Sequence, residues 1–212
     1  MLGLGIENYA LAKFLLRKKI TCEITICDAR KNVETIHKLP LRKNIKWQFG
    51  KNYNKGLDKF DILFRSPGWP LFKIKNISSP IKLFFNLCPT KNIIGVTGTK
   101  GKGTTASLIY HILKTAGKHA WLGGNIGIAP FEFLPNIKKD DWVTLEMSSF
   151  QLEDMETSPR IAVITNFSKE HLAPADPNNP NYHKTLKKYW NSKLNILKWQ
   201  TKNDFAILNK RL

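Results

Sequence analysis

The segment Gly95-Val-Thr-Gly-Thr-Lys-Gly-Lys-Gly-Thr-Thr105 constrains this chain more than any other. It lies between a short apolar run, Ile93 to Val96, and a helix-patterned stretch. That stretch sets Ala106, Ile109, Ile112, Leu113 and Ala116 on one face, and Gly117 stops it. A strand, a glycine turn and a helix N-terminus together form a phosphate cradle, because the turn's N–H groups and the positive end of the helix dipole face the same anion. Lys102 adds a charge for outer phosphates, and the hydroxyl of Thr104 or Thr105 can complete a Mg²⁺ site. A nucleotide-using α/β protein is the expectation.

The flanking pattern supports an α/β reading. The chain opens Met1-Leu-Gly-Leu-Gly-Ile-Glu-Asn, passes through a helix-like pattern with Leu11, Phe14, Leu15 and Leu16, and reaches a strand-like run from Cys22 to Cys27 that ends in Asp28-Ala-Arg30. An acidic residue closing the second strand is the usual ribose or base contact of dinucleotide-type folds. Gly3 and Gly5 without a third glycine fit a tight turn in any α/β domain equally well, and the strand expected before Gly3 is nearly absent. Phe60 to Phe64 reads as a strand, Arg65-Ser-Pro-Gly68 as a turn, and Pro80 to Pro89 as a short helix and connector. A domain boundary is expected near residue 90. Beyond it, strands at 93–96, 120–122, 142–146, 161–166 and 205–208 alternate with helices at 104–116, 151–155 and 186–199. That alternation predicts a parallel sheet. Residues 168–183 read as a loop, with prolines at 174, 177 and 180.

Composition narrows the partners. The net charge is +18, yet the lysines are scattered and no basic-aromatic module emerges, so an anionic small molecule is the expected partner rather than nucleic acid. Cys22, Cys27 and Cys88 form no CxxC pair, which points to buried thiols in a reducing compartment. No apolar run nears the roughly 20 residues that span a bilayer, and no basic segment leads a long apolar one. A cytoplasmic protein without a membrane partner is expected.

Three positions join the cradle. Glu146 ends a strand on the cradle's side of a parallel sheet, where ligands collect, and suits a nucleotide-bound Mg²⁺. His171 follows the next strand, and Lys193 lies on the later helix.

The wording of these segments resembles the Mur ligase family, in particular its D-glutamate-adding branch. The resemblance rests on Gly98-Thr-Lys-Gly-Lys-Gly-Thr-Thr105, Gly124-Asn-Ile-Gly127, Leu145-Glu-Met-Ser-Ser-Phe-Gln-Leu-Glu153, Asn166 through His171-Leu172, Lys193, Ser66-Pro-Gly68 and the opening Gly-Leu-Gly. It implies a Rossmann-like, UDP-sugar-binding domain over 1–90, followed over 91–212 by an incomplete P-loop-type parallel-sheet ATPase domain. It further implies an ADP-forming ligase that uses ATP to make an acyl phosphate on UDP-N-acetylmuramoyl-L-alanine and joins D-glutamate to it, in peptidoglycan precursor synthesis. On the same resemblance, Gly98, Thr99, Lys100, Gly101, Lys102, Gly103, Thr104 and Thr105 hold ATP. Thr104 and Glu146 serve one Mg²⁺, while His171 and a carbamylated Lys193 serve a second. Asn125, Asp28, Arg30 and Ser66 meet the substrate, and Lys102, His171 and Lys193 carry the catalytic roles.

Some residues depart from the family pattern. Gly103 follows the lysine where Mur loops usually carry Ser or Thr, as in folylpolyglutamate synthases, and Ala173 stands where an Asp is usual. The expectation is a chain lacking the end of its central domain and the whole C-terminal domain, inactive alone, with an exposed last strand. A folylpolyglutamate-synthase-like ligase is the enzymatic alternative. A non-catalytic product of a split or truncated gene, which binds UDP-sugar or ATP or pairs with a separately encoded remainder of the ligase, is the other.

Overall fold

In a computed structural model describing residues 1–18, 20–31, 45–71, 74–173 and 181–210, every β-ladder is parallel. The first unit runs α1 (Ile6–Arg17), β1 (Ile24–Asp28), β2 (Ile45–Phe49), β3 (Leu63–Phe64) and β4 (Ile77–Ser78). β1 pairs with β2 and β3 with β4, as two separate ladders. The backbone around Leu2 links them: Leu2 N–H donates to the Phe64 carbonyl (2.7 Å) and its carbonyl accepts from Ser66 N–H (2.9 Å), while on the other side the Met1 carbonyl and Gly3 N–H each bond Cys27 at 2.8 Å. The strand expected before Gly3 is therefore a single rung. Gly3 itself has φ +76°, and any Cβ there would collide with the Trp69 indole.

The helix α2 (Pro80–Leu87) leads to the second unit. Proline at its first position and a Ser79 hydroxyl accepting from Lys82 N–H start it in the usual way. Next come β5 (Ile93–Thr97), α3 (Lys102–Thr115), β6 (Ala120–Gly124), α4 (Pro130–Phe133), β7 (Trp142–Glu146), α5 (Ser149–Leu152), β8 (Ile161–Ile164), α6 (Leu186–Lys198) and β9 (Phe205–Leu208). The sheet order is β6-β7-β5-β8-β9. β5 sits at the centre with later strands on both sides, so a crevice opens at its carboxyl end.

The strands β5, β7 and β8 are largely buried, as the covered part of a parallel sheet requires, whereas the edge strand β9 is exposed along its whole length, as expected of the last strand. Ile94 and Val96 of β5 pack with Ala106, Ile109 and Leu113 of α3. On the other face Ile93, Val143, Leu145 and Ile164 join Leu152 and Ile196, and that cluster continues through Phe84 and Phe131 into Leu4, Leu11 and Ile26 of the first unit. Gly117 ends α3 with φ +73°, and Lys118 N–H closes the turn on Leu113 at 2.9 Å.

Several expectations are corrected in detail. Ile112 is 59 % exposed, because the sheet-facing line on α3 runs through 106, 109 and 113. The run from Phe60 pairs only at Leu63–Phe64, and the helix expected at 151–155 begins earlier, at Ser149, and ends at Leu152. The prolines at 174, 177 and 180 lie outside the described residues. Among the described residues, no helix is long and apolar enough to cross a membrane.

Candidate active site

The phosphate loop is held from below by the end of β8. Thr99 N–H donates to the Asn166 carbonyl (2.9 Å) and Lys100 N–H to Asn166 Oδ1 (3.0 Å), while Asn166 Nδ2 and Thr165 Oγ1 return bonds to the Lys100 carbonyl at 2.9 and 2.7 Å. Gly98 is required here: at φ +143° its Cβ would lie 2.0 Å from Thr165 Oγ1. Gly101, in the left-handed region, caps α3 with no side-chain acceptor, so the first-turn N–H groups are open to an anion. Lys102 folds back over the loop, its Nζ donating to the Thr99 carbonyl at 2.8 Å.

Lys102, Asn125, Ser149, Phe150, His171, Lys193 and the Pro67–Gly68 turn line a single cavity of about 220 Å³. Lys193 is buried on α6, its Nζ 2.6 Å from the Gly98 carbonyl and 4.8 Å from the Tyr189 ring centre. Burial, reinforced by the charge on Lys102, pulls the Lys193 amine down to about 7. His171 has φ +56°, a left-handed backbone. Burial, aided by Lys193 and Lys102, keeps its imidazole below its ordinary value against the opposing pull of Glu170.

Glu146 is buried at the end of β7, accepting from Asn125 Nδ2 (3.0 Å) at Oε1. Its other oxygen faces the first turn of α3, where a Cβ on Gly103 would come within 2.9 Å of Oε2. Glycine at 103 thus leaves space at the carboxylate that Ser or Thr would occupy. Thr104 is exposed and Thr105 half-buried, and neither hydrogen-bonds Glu146. Among the described residues, no three His, Cys, Asp or Glu side chains cluster as a ready-made metal site. One buried carboxylate beside a phosphate cradle fits Mg²⁺ held jointly with phosphate oxygens rather than in a protein cage.

Asp28 and Arg30 lie at the carboxyl end of β1, outside this cavity's lining. Asp28 is fully buried: Oδ2 accepts from Leu4 N–H (2.7 Å) and Arg30 Nη2 (2.8 Å), and Oδ1 from Arg30 N–H and Nε, both at 2.9 Å. Burial alone would raise this carboxyl, but the Arg30 and Leu4 hydrogen bonds outweigh it and hold it below its ordinary value. Asp28 therefore fixes the Gly3–Gly5 turn and Arg30, and the partly exposed guanidinium is the group presented outward. Ser66 is buried below the Pro67–Gly68 turn, its Oγ 2.7 Å from where a Cβ on Gly5 would stand.

The segment after Glu146 is the junction between the units. The Ser148 hydroxyl caps α5, and Gln151 completes the capping box. Gln151 Nε2 also donates to buried Glu7 Oε1, while Arg65 Nη2 reaches the Phe150 carbonyl (3.1 Å) and Asp154 (3.2 Å). Tyr189 and His183 belong to the site's surroundings but escape the sequence reading. Tyr189, whose OH lies 3.0 Å from Thr99 Oγ1, could have been found four residues before Lys193 on the same helix face. His183 carries no such signal.

Residues 1–79 match the model of the MurD-like N-terminal domain of Mur ligases, and residues 96–211 match that of the Mur ligase middle domain. The chain is 39% identical over 220 residues to the UDP-N-acetylmuramoylalanine–D-glutamate ligase of Acetivibrio thermocellus, covering 99% of this chain and 45% of that protein. It is 38% identical over 223 residues to the ligase of the same name from Clostridium acetobutylicum, covering 99% of this chain and 46% of the relative. The chain thus spans about half the length of the curated relatives it matches.

Proposed function

This chain belongs to the Mur ligase family, and from that premise we propose that it carries the UDP-sugar and ATP sites of a ligase joining D-glutamate to UDP-N-acetylmuramoyl-L-alanine. The reading assigns residues 1–90 to the nucleotide-sugar and 91–212 to ATP. The observation that carries it is the cavity in which the Pro67–Gly68 turn of the first unit faces Lys102, Asn125, His171 and Lys193 of the second. A carboxylate entering from the first unit meets there the cations and amides that would hold a transferable phosphoryl group.

The roles follow from position. The open N–H groups of the Gly98–Gly103 loop and the Lys102 ammonium cradle the outer phosphates, and Arg30 faces the uridine end. Asn125 holds Glu146 and the substrate's muramoyl part. Glu146, with Thr104 or Thr105, and His171 with Lys193, are the proposed Mg²⁺ ligands. Bound Mg²⁺ would supply neutralisation of the phosphate and carboxylate charge, letting two anions approach. Carbamylation of Lys193 would turn a buried cation into an oxygen ligand: its neutral Nζ adds to CO₂, a C–N bond forms, and the released proton passes to water.

Calorimetric titration of the 212-residue protein tests the reading. Binding of both UDP-N-acetylmuramoyl-L-alanine and Mg²⁺ with a non-hydrolysable ATP analogue is expected. A protein that binds neither would refute it.

A further inference from the structure

The three residues Asn181-Tyr-His183 touch two walls of the candidate cavity at once. Asn181 is only 5% exposed; its backbone N–H donates to the Gly68 carbonyl at 3.2 Å and its Nδ2 to the Pro67 carbonyl at 2.9 Å. Both carbonyls belong to the first unit's turn. Two residues later, His183 N–H donates to the His171 carbonyl at 2.9 Å, and its Nε2 lies 2.9 Å from Ser149 Oγ. The His183 ring stacks on Phe150 at 4.7 Å and 9°, and Phe150 meets the His171 ring edge-on at 5.3 Å. His171 keeps a left-handed backbone, which a non-glycine residue holds only when its surroundings enforce it.

We propose that Asn181 and His183 are positioning residues that fix the Pro67–Gly68 turn and the His171 ring against each other across the cavity, so that the substrate wall and the phosphate wall are set by one short segment. The inference rests on the proposed reading only for what enters the cavity. The clamp itself is a matter of four hydrogen bonds and one stacked pair. Neither residue is among those that line the cavity. A carboxylate and a phosphoryl group must meet within about 3.5 Å to react, so a segment that sets the gap between their holders governs the reaction without joining it.

The test uses the 212-residue protein and two readouts that need no ligand. Hydrogen exchange measured by mass spectrometry is expected to rise about tenfold in the turn around Pro67–Gly68 in Asn181→Ala, with the phosphate loop unchanged. In His183→Ala, the ¹⁵N and ¹³C ring resonances of His171 are expected to shift, a signature that general loosening elsewhere does not produce. The near-isosteric Asn181→Asp and His183→Gln take their place if the alanine variants do not fold. Unchanged exchange in the turn together with unchanged His171 resonances would overturn the proposal. Titration with UDP-N-acetylmuramoyl-L-alanine separates the two readings. If the wild type binds, Asn181→Ala should bind roughly tenfold more weakly, the loss of about one well-made hydrogen bond. If the wild type does not bind, the substrate assignment fails, and exchange and resonance data still decide the positioning role.

Discussion

The Lys193 Nζ donates to the Gly98 carbonyl at 2.6 Å, tying α6 to the first glycine of the phosphate loop. The side chain is 1% exposed, so an amine is desolvated for one short hydrogen bond. Replacing it with Met keeps the stem and removes the amine. Leaving the Gly98 carbonyl unpaired costs about 1–3 kcal/mol, while relief of amine desolvation offsets that cost. Lys193→Met should therefore melt within about 4 °C of the wild type. Its affinity for Mg²⁺ with a non-hydrolysable ATP analogue should fall at least roughly tenfold, and calorimetry would show both.

Glu7 gives a pH signature. Burial pushes its carboxyl up from 4.5 to about 7, against the opposing Gln151 hydrogen bond and the charge of Arg65, and its Oε2 has no partner. The folded protein thus holds this proton more tightly than the unfolded chain does. Stability contributed at low pH is lost as pH climbs from about 4.5 to about 7, amounting to roughly 3 kcal/mol. Glu7→Gln should keep the Gln151 contact, flatten the pH dependence over that window, and be the more stable protein at pH 8. Urea midpoints of both proteins across pH 4 to 8 would show this.

Arg65 is the joint between units. Its 1% exposed guanidinium serves the Trp69 carbonyl (2.9 Å) on its own side and the Phe150 carbonyl and Asp154 on the other. Arg65→Met removes a donor from all three and leaves the nearly buried Asp154 carboxylate without its cation, so a loss of about 3–5 kcal/mol is expected. Arg65→Lys should recover little, since a point charge cannot span a fork of acceptors. Denaturant unfolding followed by tryptophan fluorescence measures both.

Gly103 separates fold from chemistry. Alanine there adds up to about 1 kcal/mol of helix propensity, but its Cβ would press on Glu146 Oε2 at 2.9 Å. The neighbour is the end of a side chain, so the fold can give way. Gly103→Ala should keep or gain thermal stability while Mg²⁺-dependent nucleotide binding weakens.

What the sequence discloses here is what is local. The strand, glycine turn and helix of the cradle lie within one continuous stretch, and β5, β7 and α6 stand within a residue or so of expectation. β2 is not among the expected strands although Ile45, Trp47 and Phe49 alternate with polar residues. Its partner β1 lies far off in sequence, and only pairing gives the alternation its meaning. Glu146, His171 and Lys193 are legible as candidates, but the saturation of Asp28 by Leu4 and Arg30 is not. His183 stays hidden because the hydroxyl its ring nitrogen meets, Ser149, and the ring it stacks on, Phe150, are more than thirty residues away. The same holds for Glu7 with Gln151, a contact between the two units that joins residues 144 apart in sequence.

The single rung at Leu2 has a kinetic consequence. Its contacts, the Phe64 carbonyl, the Ser66 amide and, through Met1 and Gly3, Cys27, all require long chain loops to close for four backbone hydrogen bonds. Closure entropy is spent there with little return, so the two ladders of the first unit should assemble separately and be joined late. On warming the order reverses: the seam at Leu2 parts first, and the first unit comes away as two leaves while the five-stranded sheet still stands.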